Sequence, residues 1–154
     1  MSSDTTKALL QSANDRLLAY VDNAGRKLTD YIGLDSPRLF IRIAPDACTY
    51  PYVVIRIMQS DTDTDYSNLR AIVQIEALCV HRADDGNVEL VADLVEDALL
   101  TWRESSDTLG ITFGQSSTRE SREPINDPIN RDLAEVALTV TCGSWEKRLT
   151  AIAP

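Results

Sequence analysis

The sequence predicts an α+β domain in the order α-β-β-β-α-β-β, with a largely antiparallel sheet packed by two helices. Three observations predict it. Two stretches place apolar residues at steps of three and four, as a helix with one buried face requires. Five extended segments, most of them alternating apolar with polar residues, lie between and after those helices. At 154 residues, with no Gly-, Pro- or Ser-rich linker and no internal repeat, residues 1–154 read as one domain.

The first helical pattern spans residues 4–32, with Leu10, Ala13, Leu17, Tyr20, Val21, Ala24, Leu28 and Tyr31 on one stripe. Ser3 or Asp4 suits its cap, and Gly33 its end in the left-handed conformation. Gly25, which costs about 1 kcal/mol inside a helix, is where this pattern would divide. Pro37 opens a first strand at Leu39–Ile43, and Pro51, which has no ladder donor to lose, opens a second at Tyr52–Met58. A polar loop from Asp61 to Asn68 leads to a third strand at 69–81, with Val73, Ile75, Ala77 and Cys79 on one face. The second helix, Val88 to Trp102, has Val91, Leu94, Val95, Ala98, Leu99 and Trp102 in unbroken helical spacing. Its other face is acidic: Glu89, Asp93, Glu96 and Asp97. Strands at 111–121 and 133–142 close the domain, joined by a long connection with two Pro-Ile-Asn phrases.

Composition narrows the function. An apolar fraction of 44% and a charged fraction of 25% are ordinary for a globular protein, and a chain of this size buries about 70% of its unfolded surface. Disorder, collagen and small disulfide scaffolds are excluded. Fifteen Lys and Arg against 24 Asp and Glu give −9, the wrong sign for a protein that displaces counterions from nucleic-acid phosphates. Cys48, Cys79 and Cys142 are odd in number and far apart, which argues against a secreted disulfide framework and for a reducing cytoplasm. No signal peptide or membrane-length apolar run is present, so no membrane partner is expected.

Catalytic and metal patterns fail one by one. Zinc sites use close Cys and His pairs, and only Cys79 and His81 are close; they read as a semi-buried thiol beside an edge histidine. Asp61, Asp63 and Asp65 begin like a calcium loop, but Tyr66 and Ile72 stand where the loop needs its glycine and its final acid. His81 is the only histidine, Gly-x-Ser-x-Gly is missing, and no phosphate-binding glycine motif occurs. The chain reads as a protein without catalytic, cofactor-binding or metal-ligating residues. The 111–121 segment has too few apolar side chains to bury a face in its own core, so it is either a solvated edge or a surface for another subunit. The acidic helix face is likewise either solvent-facing or set against a basic patch on a neighbour.

The order of elements resembles the phage tail-terminator (tail-completion) proteins. The phrases that carry this are the strand start Pro51-Tyr52-Val53-Val54-Ile55, the long strand Ile72 to Arg82, the turn Asp84-Asp85-Gly86-Asn87, the helix Val88 to Trp102 and two closing strands. The resemblance covers roughly residues 8–142 and implies a structural virion protein of the tail or neck, assembled in the host cytoplasm. It implies a homohexameric ring that caps the head-proximal end of the tail tube, stops its polymerisation and presents a surface to the head–tail connector protein. DNA would pass through the lumen without specific binding, repelled by the chain's acidity. The residues expected at subunit or tail-tube contacts are Tyr66, Arg119, Arg122, Arg131 and Trp145, since Arg and aromatic residues are enriched at interfaces. Trp145 is expected beyond the last strand. A head–tail adaptor or stopper, or a small α+β enzyme or regulatory domain, are the alternative readings.

Overall fold

The computed structural model describes residues 3–45, 48–64, 68–82, 88–105, 109–122 and 133–147. Helix α1 covers Ser3–Ala19, a short α2 Thr29–Ile32, and α3 Val88–Leu100. The strands are β1 (Leu39–Ile41), β2 (Tyr52–Thr64), β3 (Asn68–Arg82), β4 (Glu104–Ser105), β5 (Leu109–Arg122) and β6 (Leu133–Lys147). They form one sheet in the order β1-β2-β3-β6-β5-β4. Only β1 against β2 is parallel; every other pair is antiparallel. The α+β architecture is the one the alternation and helical stripes predict, with β4 as an added strand too short to leave a periodic signal.

The first helical stripe is broken earlier than expected. α1 stops at Ala19, and the Asp22 carboxylate then accepts the amides of Ala24 and Arg26 at 2.9 and 2.8 Å and the Arg26 guanidinium at 2.9 Å. Gly25 occupies positive φ (79°) in this turn, and a Val21–Lys27 bridge closes it. An aspartate bonding its own downstream amides offers the chain an alternative to helix, and the glycine removes the steric objection to taking it. The Arg26 backbone amide, assisted by its guanidinium, holds the Asp22 carboxyl below the usual range. Leu28 and Ile32 still reach the core, through α2. Gly33 ends α2 at φ 101°, ψ 142°, outside the left-handed region expected of it, where a Cβ would come within 3.2 Å of the Arg38 guanidinium.

Both long helices lie on one face of the sheet. Along the register Val53–Cys79–Val136 and Ile55–Ala77–Leu138, the inward residues are at most 2% exposed and share a core with Leu9, Leu10, Ala13 and Leu17 of α1 and Val91, Val95, Ala98 and Leu99 of α3. Arg16 fastens α1 to the end of α3, donating to the Ala98 carbonyl at 3.0 Å and the Thr101 hydroxyl at 2.8 Å.

Three further expectations are corrected. His81 is not on an edge: β3 is central, and Cys79 and His81 are each 1% exposed. The polar stretch from Asp61 is not a loop, because β2 runs on to Thr64 and β3 starts at Asn68. Local polarity hid a ladder whose hydrogen bonds come from the backbone. Trp145 lies inside β6, opposite Arg70 and Gly110, rather than beyond the strand.

Candidate assembly surface

Three surfaces stand out, each traceable to a stretch of unusual sequence. The first joins β5 to α3. Alternation places Ser117 and Arg119 of β5 on the helix-bearing face, in the rows of Val140 and Leu138. α3 lays its acidic side over them. Arg119 donates to Glu89 at 3.1 Å and Asp93 at 2.9 Å and lies 3.5 Å from Glu96; the Ser117 hydroxyl donates to Glu96 at 3.2 Å. The Arg119 side chain is 26% exposed, and the Asp93 and Glu96 carboxylates raise its already high pKa against the opposing effect of its own desolvation. The polar strand and the acidic helix face therefore answer each other within the chain, a pairing that the sequence shows only once the two are known to be opposite. Carboxylates still outnumber the guanidinium, and Asp97 shows it: partial burial and the charges of Asp93, Glu96 and Asp22 push its carboxyl above the usual range.

The second surface is the opposite face of the sheet. No helix among the described residues covers it. Val54, Val80 and Ala137 on this face are nevertheless only 7%, 6% and 5% exposed. Glu76, 4% exposed, is held there by Arg56 at 2.6 Å. At its β1 end Phe40 meets Tyr52 edge to face, and Tyr50 stacks on Tyr52, with ring centroids 6.2 and 5.7 Å apart. Burial, with Tyr50, Cys48 and Glu135 alongside, raises the Tyr52 phenol above its usual range. This face combines half-buried aromatics, a residue class enriched at contact surfaces, with an ion pair whose carboxylate is buried and whose guanidinium is half exposed.

The third is the far half of the sheet. α3, at 13 residues, is about 20 Å long, whereas β2, also 13, extends for about 43 Å. Helix-backed burial reaches Val73 and Cys142. Beyond them the four long strands continue to the rows of Asp63–Arg70–Trp145–Gly110 and Thr64–Leu69–Glu146–Leu109.

The expected contact residues are not gathered into one site. Arg119 is on the helix-bearing face. Arg122 ends β5 in the row of Glu135, Val80 and Tyr52, while Trp145 lies ten residues along β6 from Glu135, about 33 Å away. Tyr66 and Arg131 lie outside the described residues. The aromatic corner of Phe40, Tyr50 and Tyr52 went unnoticed in the sequence; the spacing of Tyr50 and Tyr52 by two at a strand start is the signal that could have revealed it.

Chemistry is sparse here. The His81 Nδ1–H donates to the Arg82 carbonyl at 2.6 Å, leaving Nε2 buried with no partner. Cys79 is its neighbour on the same face, its thiol pushed up to about 12 by burial. Among the described residues no group of three or more His, Cys, Asp and Glu could hold a metal ion, and no helix is long and apolar enough to cross a membrane.

No family model and no curated protein matches the chain. Among solved structures, it is similar to a chain in the virion of a native gene transfer agent particle, with a TM-score of 0.63 and 16% identity. The match covers 96% of this chain and 100% of that one, so the two share their fold from end to end.

Proposed function

We propose that this chain is a structural protein of a phage-like virion, one that closes as a ring on the head-proximal end of a tail tube, ends its polymerisation and offers a surface to the head–tail connector. The observation that carries the reading is the end-to-end fold match to a chain of a gene transfer agent virion. The sequence resemblance to tail terminators points independently to the same kind of particle. The sheet face that no helix among the described residues covers, and the part of the sheet that extends beyond the length of α3, are the areas this reading gives to subunits and tube, and the absence of a recognisable catalytic motif from the sequence accords with an assembly role. In this reading the partners are further copies of the chain, the tail tube protein and the connector. A net charge of −9 per subunit favours passage of DNA over its capture.

The test is addition of the purified chain to polymerising tail tube protein, with tube length and end structure followed by electron microscopy. Tubes that stop growing and carry a ring at one end support the proposal. Tubes of unchanged length with bare ends overturn it, and binding to the portal-side ring alone would assign the chain to the neck adaptors instead.

A further inference from the structure

Two long edges of the sheet have no strand beside them among the described residues. β1 pairs with β2 only at Val53–Ile55, so from Arg56 to Thr64 one side of β2 has no partner strand among the described residues. β4 pairs with β5 only at Gly110 and Ile111, so from Gly114 to Arg122 one side of β5 has no partner strand among the described residues. Proteins usually blunt such edges with brevity, lysine, proline or bulges, because a row of open amides and carbonyls is a template for another strand. Here the bulges lie at one end of each edge. Gln59–Thr64 and Ser116–Arg122 then keep unbroken register with their inner neighbours, and neither run contains Lys or Pro.

The two edges suit each other. β2, β3, β6 and β5 are successively antiparallel, so β5 runs opposite to β2. A second copy turned about an axis along the strands therefore brings its β2 beside this β5 in the antiparallel sense that the sheet already uses. Gln59–Thr64 contains Asp61 and Asp63 and no base, whereas in Ser116–Arg122 Arg119 is taken up by the carboxylates of α3, which leaves Arg122 against Glu120. Such a contact is heterologous, and a heterologous contact whose rotation closes makes a ring. We propose that the free edge of β2 in one copy pairs with the free edge of β5 in the next, so that the sheet continues from subunit to subunit. This rests on the ring reading above and adds to it which backbone segments make the joint.

The test is a disulfide scan in the full chain carrying Cys48→Ser. Asp61→Cys is combined in turn with Ser116→Cys, Thr118→Cys, Glu120→Cys and Arg122→Cys, because strand alternation puts all of these positions on one face. Directly opposite residues have Cβ atoms about 4.5–5.5 Å apart, close enough to cross-link with slight adjustment. One of the four combinations is expected to give a thiol-sensitive ladder of linked species larger than a dimer, while each single cysteine variant gives none. In parallel, hydrogen exchange on the unsubstituted chain is expected to slow in Gln59–Thr64 and Ser116–Arg122 together as the mass from light scattering rises. Ring-sized mass without a ladder and without joint protection overturns the edge pairing while leaving the proposed function standing. A dimer from a single β5 cysteine overturns it in favour of like edges pairing. Monomer without a ladder, even with tail tubes present, overturns it too; if those tubes are also left uncapped, the proposed function falls with it.

Discussion

Arg119→Ala is expected to destabilise the chain by about 2 kcal/mol, and the structure says where that figure comes from. The guanidinium serves Glu89 and Asp93, whose side chains are 62% and 57% exposed, and those contacts are worth about 0.2–1 kcal/mol each. The third partner, Glu96, is only 25% exposed, and its contact is screened less by solvent. Removing the cation also leaves Glu89, Asp93, Glu96 and Asp97 on one helix face, where like charges three and four apart repel by about 0.2–0.5 kcal/mol per pair. For a domain of 154 residues a loss of this size lowers the melting midpoint by roughly 6 °C. The assay is thermal and urea unfolding at low and high salt, with Arg119→Met retaining most of the aliphatic stem. Most of the loss should disappear in about 1 M salt, where the Debye length is about 3 Å. A loss below about 0.5 kcal/mol, or one of equal size in Arg119→Met at high salt, refutes the argument that charge binds β5 to α3.

Other outcomes follow from the same structure. Asp97→Asn should raise the midpoint at neutral pH. The native fold favours the protonated carboxyl, so the wild-type contribution is most favourable below the unfolded value near 4 and is lost as pH rises through the raised folded one; the gain should therefore shrink on acidification, and a gain that grows would refute this. A thiol reagent should label Cys48 in the native protein and reach Cys79 and Cys142 only on unfolding, since the latter two are each 1% exposed. Because burial holds those two thiols at about 12 and about 11, stability should be intact below an unfolded thiol value of about 8.5 and fall as pH climbs from there, measured by urea midpoints across that range. Arg56→Ala should cost about 2 kcal/mol in urea unfolding by stranding the Glu76 carboxylate, which is 5% exposed, and adding Glu76→Leu should recover much of it. No recovery would show that the guanidinium stem, rather than its charge, supports that face.

Legibility in the sequence followed the physical origin of each element. α3 was plain, because Val91, Leu94, Val95, Ala98, Leu99 and Trp102 are buried where their spacing puts them. The central strands were plain for the same reason: Val73, Ile75, Ala77 and Cys79, and Val136, Leu138, Val140 and Cys142, alternate against one hydrophobic layer. What a side-chain pattern does not encode was harder. The end of α1 depends on one carboxylate bonding two amides beyond it. The far part of the β2–β3 hairpin is held by backbone ladders through Ser60, Asp61, Thr62 and Asp63, whose polarity reads as loop. The 111–121 segment reads as either a solvated edge or a subunit surface, and its local composition does not show that α3 of the same chain lies over Ser117 and Arg119. Which strands are adjacent, and hence which edges are open, is a property of topology that no local window contains.

The bulges have a consequence for how this architecture can vary. The β2 bulge, between Ile57 and Gln59, and the β5 irregularities, from Ile111 to Ser116, both fall near the rows of Gln74–Thr141 and Val73–Cys142, while β3 and β6 run through unbroken. They form a seam across the sheet at the rows of Val73 and Cys142, which are each 1% exposed. On the helix side of the seam, adding a residue shifts inward-facing side chains out of the core. On the other side, each added cross-strand pair lengthens the strands by about 3.3 Å and leaves the register on the helix side unchanged. The seam thus divides the sheet into a part where strand length is tied to the register of the core and a part where hairpin length can vary without shifting that register.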